Sequence, residues 1–342
     1  MNLPSFLYFE QSEKQMERKM WTQPWRFAEG FLIGCGLVVA GLLLQLSSGP
    51  IDWDLFAFPA NVIALAVFLL LIVIAFALRK KVYAFRFLES YHAAIPALAC
   101  AAVLTILMGL TRQASPAAPT NQHDFISIIG LNKMLSNWSF VLVYVYIAFI
   151  LGLIILKRVA MMLHAERRCL WRDIPFLLNH LGLFIVMTCA TLGNADMQRL
   201  KMITAVGEPE WRALAPGNVV KEMPLAIELK RFIMETYDDG SPKRYASEIQ
   251  ILTKTGKNIE TIVDVNKPYE VEGWKIYQYG YDTNMGANSR ISILELVSDP
   301  WLPLVYTGIF MMLAGAVCMF VMGGRKTRRD DEVENRNNVI TR

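Results

Sequence analysis

The stretch from Ile174 to Asp196, IPFLLNHLGLFIVMTCATLGNAD, divides the chain in two: long apolar runs dominate before it, and a polar, alternating pattern follows it. Ile174 to Gly193 is close to the roughly 20 apolar residues that span a bilayer. Yet Asn179 and His180 sit side by side inside it. Polar pairs at that depth are costly, and an ionisable side chain there ordinarily faces a helix bundle or a cavity and has a partner. Two readings of His180 stand at this point. A neutral imidazole can hydrogen-bond a neighbouring helix as packing glue, or it can serve as a ligand.

Hydrophobic residues make up 54% of the 342 and charged residues 19%. One soluble core could not hide the apolar runs at residues 30–47, 59–78, 93–110, 138–156, 174–193 and 301–323. Each approaches or reaches the length of a membrane span. Pro96 interrupts the third, and spans tolerate proline where neighbouring helices re-satisfy the freed carbonyl. A cleaved signal peptide is not expected, because a long polar leader precedes the first run, which is itself too long for a signal core. The leader reads as an amphipathic segment along the inner membrane surface.

Orientation follows from the basic residues near span ends. Lys14, Arg18, Lys19 and Arg26 precede the first run, and Arg79, Lys80, Lys81 and Arg86 follow the second. Lys157, Arg158, Arg167, Arg168 and Arg172 follow the fourth, and Arg325, Lys326, Arg328 and Arg329 follow the sixth. All four clusters fall on one side, so both termini are expected in the cytoplasm. The expected organisation is a cytoplasmic leader over 1–26, a five-span bundle over 27–193, an extracytoplasmic β-domain over 194–299, a sixth span over 300–323 and a cytoplasmic tail over 324–342. These clusters set topology; a nucleic-acid surface would need one basic face on a folded domain.

The five cysteines, Cys35, Cys100, Cys169, Cys189 and Cys318, all lie outside residues 194–299. The exported domain is therefore expected to fold without a disulfide. There is no CxxC and no CxxCH, which leaves thioredoxin-like redox chemistry and covalent attachment of c-type haem to this chain unsupported.

In the first span, Gly30-x-x-x-Gly34 has the spacing of close helix contacts. The short connection SSGPIDWD predicts that spans one and two are antiparallel neighbours. A short helix is expected near Asp124 to Leu135, ahead of Trp138 at the position of an aromatic belt. Beyond Asp196 the period changes to two, the pattern of half-buried strands. Leu225, Ile227 and Leu229 share a face, and KTGK between YASEIQILT and NIETIVDV signals a hairpin. Trp274, Tyr277, Tyr279 and Tyr281 read as core aromatics, with lipid or a partner as alternatives. The fold class is thus a polytopic α-helical membrane protein of six spans, with one small all-β domain between spans five and six.

Hydrolytic machinery is missing from the pattern: no GxSxG, HExxH or Walker loop occurs, and residues 194–299 contain no histidine. His92, His123 and His164 read as ordinary interfacial or loop residues. A bis-histidine haem site needs two axial ligands from facing helices. Only His180 is deep enough, unless His92 reaches in.

Three segments, taken in order, carry a resemblance: NHLGLFIVMTCATLGNADMQRLKM, VDVNKPYEVEGWKIYQYGYD and DPWLPLVYTGIFMMLAGAVCMF. Together they resemble the ResB (CcsB) family of system II cytochrome c maturation, over roughly the half from Ile174 onward. Its members commonly show an H-x-G span start, a β-rich exported domain with an N-P, G, Y-Q, Y-D series, and a D-P, P, V, G final span. The resemblance implies a bacterial cytoplasmic-membrane protein that works with a CcsA-like partner to bring haem across and present it to apocytochrome c. It implies that His180 is an axial ligand of a b-type haem held transiently and without covalent attachment. The second ligand would come from the partner. On that picture Asn179 or a backbone carbonyl fixes the His180 tautomer, while Arg168 and Arg172 are candidates to pair with haem propionates.

The exported region is compact for that family, and two extra spans precede His180. The tryptophan-rich haem-binding segment of the CcsA partner is absent, so thioether formation is expected on the partner and this chain is not read as an enzyme. The alternative is a structural or transport module of the export-permease type that binds no haem. Such permeases divide their spans evenly around the exported domain, whereas five precede it here and one follows. The topology predicts that a phosphatase reporter fused after Tyr281 is active and one fused after Arg168 is inactive; the reverse pattern would invert the orientation.

Overall fold

The computed structural model describes residues 19–114, 124–163 and 167–340, with backbone alone for 167–172 and 322–340. The expected amphipathic leader falls in residues 1–18, and His123 and His164 also lie outside the described residues. The helices are α1 (Phe27–Ser48), α2 (Ala60–Leu78), α3 (Tyr83–Leu88), α4 (Tyr91–Leu110), α5 (Phe125–Ile128), α6 (Trp138–Leu163), α7 (Arg167–Gly193) and α8 (Leu302–Ile340). Six of the apolar stretches are long enough to cross a membrane, and the chain is a multi-pass membrane protein. Between α7 and α8 lie eight strands, β1 (Gln198–Ala205), β2 (Pro209–Ala215), β3 (Val219–Thr236), β4 (Pro242–Thr253), β5 (Asn258–Asp264), β6 (Tyr269–Val271), β7 (Trp274–Tyr281) and β8 (Ile291–Ser298). The chain separates into two compact units, one of residues 1–188 with 304–342 and one of residues 189–303.

In the helical unit, small residues decide which helices meet. A side chain at Gly30 would collide with the His92 carbonyl, and one at Gly34 would come within 2.8 Å of Cys100 Sγ. The Gly30-x-x-x-Gly34 face of α1 therefore packs against α4. Farther along α1, Gly41 leaves room for the backbone of Ser139 at the start of α6, and Ser139 Oγ donates to the Val38 carbonyl at 2.9 Å. The expected pairing of spans one and two is corrected here: α1 packs on α4 and α6, and α2 packs on α6. Close approach of backbones outweighs nearness in sequence. The short helix expected near residues 124–135 is α5 followed by a 3-10 turn at Leu131–Ser136.

The β unit is one antiparallel sheet in the order β5-β4-β3-β2-β1-β8-β7-β6. Alternation puts Leu225, Ile227 and Leu229 of β3 inside, together with Leu200, Met202, Ile249, Ile251, Ile276, Leu294 and Leu296, in one apolar core drawn from all eight strands. The sheet curls until its outer strands approach: Thr255 Oγ1, after β4, donates to Glu272 Oε1, before β7, at 2.7 Å. The KTGK turn has Gly256 at φ +80°, a conformation favoured by glycine. The aromatic set of β7 is only partly internal, because the inward positions belong to Ile276 and Gln278. Trp274 packs at the core margin and Tyr281 stacks on Phe232. Tyr279 is half exposed beneath the Lys201 ammonium, 3.8 Å from its ring centroid.

The chain enters and leaves this unit at one place. Gly193 has no side chain because Trp301 occupies that space, and Trp301 Nε1 donates to Asp196 Oδ2 at 2.7 Å. Asp299 Oδ1 accepts from the backbone N–H groups of Trp301 and Leu302 at 3.2 and 3.1 Å, capping the start of α8.

On the sheet surface, the Arg212 side chain beside Glu210 holds its carboxyl below the usual carboxylate range. Inside, Ser292 Oγ bonds Ser247 Oγ at 2.6 Å and accepts from Gln278 Nε2 at 2.9 Å, while Thr204 Oγ1 donates to the Ser292 carbonyl at 3.1 Å. All four are buried, and a buried polar group left without its partner costs about 1–3 kcal/mol. Ser292→Val should therefore destabilise the β unit by about 2–3 kcal/mol, read as faster proteolysis between residues 194 and 299 of the full chain. A change confined to α-helical cleavage sites would contradict this assignment.

Candidate functional site around His180

Helix α7 presents two working faces. Asn179, Gly182 and Val186, at spacings of three and four, face α8: a side chain at Gly182 would meet the Gly308 carbonyl at 2.6 Å, one at Gly308 would meet Val186, and one at Gly315 would meet Asn179 at 2.8 Å. About 100° around the helix, Asp173, Phe176 and His180 lie at i, i+3 and i+7. This second face continues into Leu177, Leu181, Phe184 and Met187, which pack in one cluster with Ile72 and Ala75 of α2 and Leu151, Leu153 and Ile155 of α6.

The half-buried His180 ring is fixed by its own helix. Nδ1 lies 2.8 Å from the Phe176 carbonyl oxygen. A carbonyl oxygen only accepts, so Nδ1 carries a proton, and in the neutral ring the Nε2 lone pair is left open. Among the described residues Nε2 makes no hydrogen bond. The imidazole also stacks on the Phe176 ring, 3.7 Å between centroids at 23°. On the α6 side, the Arg158 guanidinium carbon sits 4.9 Å from the same phenyl centroid. Arg158 Nη2 pairs with Asp173 Oδ1 at 2.7 Å. The Phe176 ring is therefore in contact with both a cation and an imidazole.

The other sequence-nominated residues fall as follows. Asn179 Nδ2 donates to the Pro175 carbonyl at 2.9 Å and sits against Gly315, on the α8 face and away from the His180 ring. Arg167, Arg168 and Arg172 open α7, and their side chains lie outside the described part of the structure. His92, at the start of α4, stacks on Tyr91 and against Phe27 of α1 and is not among the described residues in contact with Phe176 or His180. No group of three or more metal-ligating side chains is present among the described residues.

Sequence reasoning missed Phe176, Arg158 and Asp173. The i, i+3, i+7 spacing of Asp173, Phe176 and His180 was a usable signal. Arg158 was counted only among topology-setting cations, because its place opposite Phe176 depends on how α6 and α7 pack. A second charged cluster lies at the same end of α6: Glu89, whose side chain is 3% exposed, has Arg79 Nε at 3.3 Å and Lys157 Nζ at 3.5 Å.

A family model described as "ResB-like family" matches residues 154–290. That stretch takes in the end of α6, all of α7 and the strands through β7. Over it, the chain is ResB/CcsB-like. Two cytochrome c biogenesis proteins CcsB of Prochlorococcus marinus share the likeness. That of strain NATL1A is 29% identical over 102 residues, 30% of this chain and 23% of the relative. That of strain CCMP1986 is 30% identical over 126 residues, 35% of this chain and 28% of the relative. The matched stretch thus spans about a quarter of the relatives' length. A solved cytochrome c haem lyase CcmF aligns with 78% of this chain and 46% of its own at 14% identity and a TM-score of 0.34, too low to show a shared fold. The ResB-like stretch contains Arg158, Asp173, Phe176 and His180 together.

What this arrangement offers chemically is an imidazole with Nδ1 anchored and Nε2 open, and a neutral ring held in that way is the form in which histidine binds metal centres. Among the described residues it brings no nucleophile and no acid–base pair to His180. The tautomer is directly measurable: with 15N-labelled histidine, the His180 signal of the full chain should show a protonated Nδ1 and an unprotonated Nε2. A dominant Nε2–H form would contradict the Phe176 anchor.

Proposed function

We propose that this chain is the ResB-like, haem-handling subunit of a cytochrome c biogenesis complex in the bacterial cytoplasmic membrane. The observation that carries the reading is the open Nε2 of His180, oriented through Nδ1 by the Phe176 carbonyl, inside a ResB-like span. Haem iron held by such a nitrogen is the centre that would be carried to apocytochrome c, as a b-type, transient and non-covalent guest. The donor set fits one axial bond: an imidazole nitrogen is a good ligand for haem iron, and Phe176 offers an aromatic wall beside it.

His180 holds the ligand and the Phe176 carbonyl keeps its tautomer. The packing of α7 on α6 and α8 keeps the ring from turning away. With one such histidine in the described bundle, the second axial ligand is assigned to a CcsA-like partner, and thioether formation with it. The basic side chains that open α7, Arg168 and Arg172, complete the proposed site, while Asn179 secures the α8 face of the same helix. The distribution of basic residues supports a cytoplasmic position for both termini, with the β-domain on the far side, where apocytochrome c would be met. His180 lies about 10 Å along the span that begins at Asp173, in the inner half of the bilayer.

His180→Ala, coexpressed with a CcsA-like partner, should abolish or sharply lower copurifying haem and c-type cytochrome assembly while protein level and topology stay unchanged. Added imidazole should partly restore the haem absorbance. Normal haem content and cytochrome assembly in that variant would return His180 to the role of helix-packing glue.

A further inference from the structure

Three buried side-chain polar atoms have no hydrogen-bond partner among the described residues: Glu89 Oε1, the Tyr146 hydroxyl and Arg158 Nε. Glu89 has its two cations, and Tyr146 packs beside the separate cluster around Phe87, Ala93 and Ala97. Arg158 Nε differs, because it belongs to the guanidinium that stands over the Phe176 ring on which His180 stacks. A guanidinium presents five N–H donors in a rigid fork whose geometry matches a carboxylate. Asp173 occupies the Nη2 donor. The Nε–H is buried and charged and has no acceptor among the described residues, and such a donor is costly unless an acceptor arrives.

The surrounding charge favours an anion as that acceptor. Arg79, Lys157 and Arg158 are paired with two carboxylates, Glu89 and Asp173, so these ion pairs carry one positive charge in excess. We propose that Arg158 is a carboxylate-binding residue of the His180 site, and that its Nε–H takes a propionate of the haem that His180 ligates. This rests on the haem reading of His180. Arg158 then does two things through one side chain: it steadies the Phe176 ring by a cation–π contact, and it fixes the rotation of the macrocycle about the axial bond by holding one edge. Asp173 keeps the guanidinium in place.

The test compares two probes, iron protoporphyrin IX and its dimethyl ester, which keeps the ring and the iron but has no carboxylate. The full chain, copurified with a CcsA-like partner and stripped of haem, is titrated with each, and the His180-dependent absorbance is taken by subtracting the His180→Ala protein. Wild type should bind the free acid about tenfold more tightly than the ester, the scale of one charge-assisted hydrogen bond. The double variant Arg158→Gln, Asp173→Asn removes both charges together, leaving no uncompensated buried ion. It should still bind both probes through His180, with the preference for the free acid reduced to within about twofold. An undiminished preference in the double variant would overturn the role of Arg158 and leave the haem reading intact. Absence of any His180-dependent absorbance with either probe in wild type would overturn the haem reading, and this inference with it.

Discussion

The contact on which the helical unit depends is the backbone approach of α7 to α8 at Gly182 and Gly308. In lipid there is no hydrophobic force between helices, so association rests on close packing. Two glycines facing one another are what permit it. Once α7 commits the side of Asn179, Gly182 and Val186 to α8, its remaining apolar side must meet α2 and α6, and His180 turns with it. The imidazole then faces a neighbouring helix, and that rotation gives Arg158 access to Phe176.

The ionisable groups at this end are held in a graded way. Among the described residues Glu89, nearly dry, has two cations and Asp173, more exposed, has one. Ion pairs in such surroundings cost desolvation that attraction only partly offsets. Their value lies in fixing geometry: α6 supplies both Lys157 and Arg158, consecutive residues that tie it to the α3–α4 turn and to the start of the fifth span.

Much of this was legible in the sequence. Six spans stand out because about 20 apolar residues have few other uses. The β-domain follows from a change of period at Asp196. His180 stands out because an imidazole inside a span needs a reason. Other features were not legible, and each depends on tertiary contact. The partners of α1 follow from where glycines meet backbone, which the short SSGPIDWD connection does not encode. Tyr277 and Tyr279 lie outside the β core because Ile276 and Gln278 take the inward register, and composition alone ranks the aromatics ahead of a glutamine. The Ser247, Gln278 and Ser292 network joins strands far apart in sequence, and no local pattern announces it.

The placement of β1 against β8 at the centre of the sheet has a consequence for biosynthesis. β1 is made first and β8 last, and each residue of β1 from Gln198 to Ala205 pairs with one of β8. The run β2 to β5 can zip as successive hairpins while the chain is still growing, and β6 with β7 can do the same. No strand pairing joins the two halves until residues 291–298 have been synthesised. Completion of the domain therefore waits for the segment just ahead of the final span. Until then β1 has an open edge, the condition under which a nascent chain is most exposed to wrong pairing. A ribosome pausing soon after residue 298 would give this domain time to close, and one pausing just before residue 291 would prolong its most vulnerable state.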